Sequence, residues 1–158
     1  MNISIICVGK LKEDYLKSAI AEYKKRLSRF TGFEIIEVPD QKIPENAGKK
    51  IEEQLLNKEG ELILSKIKNN SYIIAMCIEG KQLSSEELAE EIKNVSMSNS
   101  SITFIIGGSL GLSKAVKQKA DKCISFGKIT LPHQLMRVVL SEQIYRAFKI
   151  NANEAYHK

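Results

Sequence analysis

A chain of 158 residues has room for one domain that buries about two-thirds of the surface its unfolded form exposes. With 43% apolar and 27% charged residues, it excludes a collagenous, low-complexity or mainly disordered protein. The net charge of +5 is concentrated: residues 113–158 carry nine basic and three acidic side chains, against fifteen and sixteen in residues 1–112. A neutral body with a basic C-terminal third points to a polyanionic partner.

Strand and helix patterns alternate along the chain. Ile3–Val8 is a short, β-branched apolar run closed by Gly9, which reads as a buried strand. From Asp14 onwards, Leu16, Ala19, Ile20, Tyr23, Leu27 and Phe30 recur at helical spacing. Phe33–Val38 is a second strand ended by Pro39, and Pro44 and Gly48 break residues 40–48 into a loop. A helix is expected from about Lys49 to Lys66, followed by a third strand over Tyr72–Ile78. Ser84 and Glu87 form a capping-box pair that opens a helix to about Met97. Ile102–Ile106 is a fourth strand running into Gly107-Gly108, Ser113 caps a short helix to about Ala120, and Cys123–Phe126 is a fifth strand. After Gly127–Pro132 a last helix covers about His133 to Ile150. Residues 1–158 therefore read as a single α/β domain, with a mostly parallel sheet and helices on both faces. The last helix is apolar around much of its circumference, so it must bury two faces, one against its own sheet and the other against a second subunit, the alternative being a helix central to a monomer.

Cys7, Cys77 and Cys123 each sit in an apolar run with no CxxC or Cys/His cluster, so neither a disulfide framework nor a metal site is expected. The opening residues lack the charged n-region of a signal peptide, and no stretch approaches the ~18 apolar residues of a membrane span. The expected location is the cytoplasm.

Ligands of open parallel sheets bind beyond the carboxyl ends of the strands. Three such ends are rich in glycine or polar residues: Glu79-Gly80-Lys81, Gly107–Gly111 and Gly127–Pro132. The second is neither G-x-G-x-x-G nor a Walker A loop, but it matches the G-x-S-x-G of a nucleophile elbow. Asp121 and His133 follow Ser109 in the order of a hydrolase triad. The short chain and the late start of the next helix, near Ser113, count against that reading. His133 at the head of the last helix can simply satisfy nearby backbone groups. Arg137, Arg146 and Lys149 can form a solvated face or contact phosphate.

Taken together, IIGGSLGL, SFGKITLPHQLMRVVLSEQIYRAFKI, the terminal EAYHK and the opening VGKLKE resemble the bacterial ribosomal RNA large-subunit methyltransferase H family over the whole chain. The resemblance implies a SPOUT-type fold whose C-terminal segment is threaded into a trefoil knot, against the general rarity of knots. It implies a homodimer that transfers a methyl group from S-adenosylmethionine to N3 of a pseudouridine in 23S rRNA of assembled ribosomes. Carried over by position, the cofactor site is Met76, Gly108 and the run Gly127, Lys128, Ile129, Thr130, Leu131 and Pro132. Met76 stands where leucine is common, and the Ser109 position can be proline in the family, which weakens the nucleophile reading. Tyr156 and His157 are expected to manage the departing proton from across the dimer. Arg137 and Lys158 are expected at RNA phosphate or developing charge, with Glu142 paired to Arg146. Two other readings compete: a serine hydrolase using Ser109, Asp121 and His133, and a ribosome-binding factor without catalysis.

Overall fold

The computed structural model describes residues 1–156. Five parallel strands form one sheet: β1 (Asn2–Val8), β2 (Gly32–Val38), β3 (Ser71–Gln82), β4 (Ser101–Ile106) and β5 (Lys122–Ser125), in the order β2-β1-β4-β3-β5. Five helices connect and follow them: α1 (Asp14–Leu27), α2 (Lys49–Ser65), α3 (Ser85–Ser96), α4 (Lys114–Lys119) and α5 (His133–Asn151). The α/β architecture expected from the alternation is thus present.

Because side chains alternate across a strand, the continuous apolar runs divide between two faces. Ile3, Ile5 and Cys7 of β1 join Ile102, Phe104 and Ile106 of β4 on the face covered by Leu27 of α1, by α3, and by Leu140, Ile144 and Ala147 of α5. Ile6, Val8, Ile73, Ala75 and Ile105 face the other way, against Ile63 of α2 and Val116 of α4. Each fully buried aliphatic side chain contributes about 1.5–3 kcal/mol of transfer free energy. One polar seam crosses this core. The Ser4 and Thr103 hydroxyls are 3.1 Å apart, and those of Ser71 and Thr103 are 2.7 Å apart, linking β1, β4 and β3.

Ser84 and Glu87 close both halves of the capping box that starts α3. α1 ends at Leu27, short of the last periodic residue Phe30, because Phe30 and Thr31 turn back to bond the Leu27 carbonyl. β3 outruns its expected end at Ile78. After a bulge, Lys81 and Gln82 pair with Ile124 and Ser125 of β5. Glu79-Gly80-Lys81 is therefore extended strand, where a loop was expected. Gly80 makes this possible, since a Cβ there would lie 2.6–2.7 Å from backbone atoms of Cys123 and Ile124.

Along α5, the spacing of Arg137, Leu140, Ser141, Ile144 and Ala147 buries one face. Its flank meets α1 through an aromatic cluster, with Phe30 stacked on Phe148 at 5.8 Å and Tyr23 tilted against Tyr145 at 6.3 Å. Among the described residues no helix is long and apolar enough to cross a membrane.

Candidate cofactor cleft at the carboxyl edge of the sheet

The carboxyl ends of β4, β3 and β5 open into a cleft of about 420 Å³, within the usual range for small-molecule sites. Its floor is strand: Met76 and Cys77 of β3, Ile106 of β4 and Ile124 of β5. One wall is the turn Gly107–Gly111, where Gly111 donates its N–H to the Gly108 carbonyl at 3.0 Å. A Cβ on Gly107 would lie 2.3 Å from the Gly111 carbonyl oxygen, so the turn closes this tightly only around glycine. The opposite wall is Phe126, Gly127, Ile129, Thr130 and Leu131, leading into His133 and Met136 of α5. Gly127 has φ +111, a conformation that side-chain-bearing residues rarely adopt. The Ser125 hydroxyl accepts from the Gly127 N–H at 3.1 Å and pins this bend.

Of the residues expected at the cofactor, Met76, Gly108, Gly127, Ile129, Thr130 and Leu131 line this one cleft. Lys128 and Pro132 belong to the same loop but stand outside its lining, both exposed to solvent. Sequence reading passed over the ion pair between Lys117 of α4 and Glu79 of β3, which also lines the cleft. The hydrogen bond from Lys117 holds the Glu79 carboxyl below the ordinary carboxylate range, and Glu79 in turn raises Lys117. Glu79 belongs to the polar end Glu79-Gly80-Lys81 named from sequence, but its pairing with Lys117 of α4 comes from the bulge of β3 and has no sequence signal. Behind the glycine turn lies Glu59 of α2, 4% exposed, whose Oε2 accepts from the Gln41 N–H at 3.3 Å. Burial pushes this carboxyl above its ordinary value.

Arg137 requires a correction. Expected at RNA phosphate, it is fully buried. Nη2 donates to the carbonyls of Val8 and Gly9, both at 2.8 Å, and Nη1 to Glu37 Oε2 at 2.9 Å. Glu37 also accepts the Leu11 N–H at 3.0 Å, and Gln134 accepts the Lys12 N–H at 3.2 Å. The basic group thus ties the first turns of α5 to the end of β1. A guanidinium this engaged has no fork left for phosphate.

The hydrolase triad does not assemble. Asp121 accepts from the backbone N–H of Ile73 at 2.8 Å, at the amino end of β3. Ile73 is in register with Thr103, whereas Ser109 lies past Ile106. The three intervening strand residues put about 10 Å along the sheet between the two groups. Ser109 is exposed in its turn, and the next helix starts at Lys114, capped by Ser113 rather than by the serine.

Tyr156 packs far down α5. Its hydroxyl donates to Glu142 Oε1 at 3.2 Å, its ring meets Tyr145 edge-on at 5.0 Å, and the Arg146 guanidinium lies over it at 4.7 Å. Arg146 also bonds Glu142, the expected pair, at 2.7 Å. Burial, with Glu142 second, raises the Tyr156 phenol above the ordinary tyrosine value. From His133 in the cleft to Glu142 is about 14 Å along the helix axis, at the usual α-helical rise. His157 and Lys158 lie outside the described residues. Among those residues no group of three or more His, Cys, Asp or Glu is placed to hold a metal ion.

Proteins named ribosomal RNA large subunit methyltransferase H from Lactobacillus helveticus and Streptococcus uberis are each 60% identical over 159 aligned positions, covering 100% of both chains. One from Clostridium perfringens is 58% identical with the same coverage. Solved structures share the fold at much lower identity. A probable methylase family protein from Haemophilus influenzae superposes with a TM-score of 0.56 at 16% identity, over 99% of this chain and 70% of its own. A tRNA methyltransferase from Aquifex aeolicus gives 0.55 at 13% identity, over 92% and 70%. A family model described as predicted SPOUT methyltransferase matches residues 1–157, and the chain belongs to the SPOUT methyltransferase family.

Proposed function

We propose that this protein transfers a methyl group from S-adenosylmethionine to N3 of a pseudouridine in 23S rRNA, as a cytoplasmic homodimer on the assembled ribosome. The observation that carries the reading is full-length identity of 60% to relatives named ribosomal RNA large subunit methyltransferase H. The cleft fits the cofactor on its own terms. A purine plane needs apolar walls, which Met76, Phe126, Leu131 and Met136 offer, and its edge needs backbone donors and acceptors, which the two glycine-bearing loops leave unobstructed. The C-terminal knot of the class belongs to the same reading.

Bound S-adenosylmethionine supplies an electrophilic methyl group on a sulfonium. The chain's task is to align the target nitrogen with that methyl group and to take up the nitrogen's proton. Tyr156 lies about 14 Å or more down α5 from its own cleft, which supports delivery of the tail to the partner subunit's cleft. Its phenol, held protonated by burial and Glu142, is suited to donate a hydrogen bond. Proton removal is therefore assigned to His157, and phosphate contact to Lys158. With Arg137 committed to the fold, exposed lysines such as Lys128 beside the cleft remain to meet phosphate.

Methyl-labelled S-adenosylmethionine, incubated with ribosomes from cells lacking this gene, should label one pseudouridine of 23S rRNA. Deleting Tyr156–Lys158 should abolish labelling while the dimer and the fold are kept, with a somewhat lower melting temperature from the lost Tyr156 contacts. Co-expressing that truncation with a Gly108→Trp chain should restore part of the activity, because one mixed site is intact. Salt-sensitive ribosome binding without labelling or cofactor affinity would instead establish a non-catalytic factor.

A further inference from the structure

Among the described residues, Glu79 contributes the only carboxylate, and Lys117 the only ammonium, to the lining of the cleft. The rest of that lining is largely apolar or backbone, so these two groups carry the formal charge that one subunit's described residues bring to it. Glu79 sits within the bulge of β3, between Met76 and Lys81, where the strand's pairing with β5 is interrupted. Bulges beside functional sites commonly re-aim a side chain in this way. Lys117 reaches it from the short helix α4, across the mouth of the cleft. Side-chain exposure is 60% for Glu79 and 37% for Lys117, so the pair adds little to stability. Its placement matters more for what enters the cleft.

We propose that Glu79 makes the cleft selective for charge, favouring the cationic sulfonium form of the cofactor over the neutral thioether left after transfer, while Lys117 tempers that preference. The inference rests on the cofactor reading above and extends it. The chemical reason is simple. When the methyl group leaves, the bonding electron pair stays on sulfur and one positive charge is lost from the bound molecule. A carboxylate at the cleft attracts the species before transfer and is indifferent to the charge that has gone. An ionised carboxyl is needed for this, which is the ordinary neutral-pH state of a side chain as exposed as Glu79, with or without Lys117. The result is weaker retention of spent cofactor, and so less product inhibition.

The test is isothermal titration of the full-length protein with S-adenosylmethionine and with S-adenosylhomocysteine, read as the ratio of the two dissociation constants. Glu79→Gln should shrink the preference for the sulfonium form by about fivefold, the scale of one charge contact in well-solvated surroundings. Lys117→Gln should enlarge it, and high salt should reduce it in the parent protein. Thermal melting of both variants shows that the fold is retained. An unchanged ratio in Glu79→Gln, with both ligands still bound, overturns the inference alone. So does a Lys117→Gln ratio that falls in parallel with Glu79→Gln, because the pair would then act only as a brace. Failure of both ligands to bind the parent protein overturns the cofactor reading and this inference with it.

Discussion

Replacing Arg137 with alanine tests whether this residue belongs to the scaffold or to the RNA surface. The change removes three hydrogen bonds of 2.8–2.9 Å and leaves the Val8 and Gly9 carbonyls without these donors. It also unpairs Glu37, whose side chain is 39% exposed and can partly turn to water. Breaking a buried ion pair by removing one partner typically costs about 3–5 kcal/mol. We place this case near the middle, at about 4 kcal/mol, because Glu37 is rehydrated and the Arg137 Nε has no hydrogen-bond partner among the described residues. For a chain of this length that corresponds to a melting temperature lowered by roughly 8–16 °C. Arg137→Lys keeps the charge but not the fork and should lose about half as much. Urea unfolding measures the cost, and hydrogen exchange at the Leu11 and Lys12 amides reports whether the loop after β1 has loosened. A cost below about 1 kcal/mol for Arg137→Ala, with ribosome affinity falling, would refute the buried assignment and return the residue to phosphate.

Gly80→Ala should cost about 1–3 kcal/mol and weaken cofactor binding, since its Cβ would meet the β5 backbone at 2.6–2.7 Å; denaturant melts and calorimetry would show both. Asp121→Asn should lower stability by about 1 kcal/mol through the Ile73 amide, while Ser109→Ala keeps methylation; ester hydrolysis abolished by either change would revive the triad. Burial pushes the Cys7 and Cys77 thiols up to about 12, from an unfolded value of 9.0. Both states hold the proton below the unfolded value, and only the unfolded state releases it between the two. Stability should therefore fall as pH rises from about 9 to 12 and less so in Cys7→Ala; alkaline thermal melts check this.

The strands and helices were legible because each burial pattern is local. ISIICV and SITFII are buried on both faces, and such strands read as unbroken apolar runs. The Ser84–Glu87 cap fixed the start of α3 for the same reason. The order β2-β1-β4-β3-β5 was not legible, since nothing local to β4 says that it will lie between β1 and β3. At the cleft, the glycine turn and the 127–131 loop announced themselves by composition. So did the polar end Glu79-Gly80-Lys81, but the pairing of Glu79 with Lys117 did not, because a bulge has no sequence signature here beyond one glycine. Arg137 misled for a physical reason. A cation on a largely apolar helix within the basic C-terminal third resembles a surface group, and only the backbone carbonyls at the end of β1 reveal what it holds. The triad of Ser109, Asp121 and His133, already disfavoured by chain length and the late helix start, rested on linear order, which says nothing about which end of a sheet each residue occupies.

The hydroxyl seam through Ser4, Thr103 and Ser71 bears on how the chain selects its strand partners while folding. β1, β3 and β4 are aliphatic and similar in shape, so hydrophobic contact alone scarcely distinguishes one neighbour or alignment from another. In the native arrangement Ser4 lies opposite Thr103, which also reaches Ser71. An alignment that sets one of these hydroxyls against isoleucine strands it in hydrocarbon, at about 1–3 kcal/mol for each group left unsatisfied. Three small polar side chains thus act as a proofreading mark on an otherwise uniform core, penalising mispaired sheets.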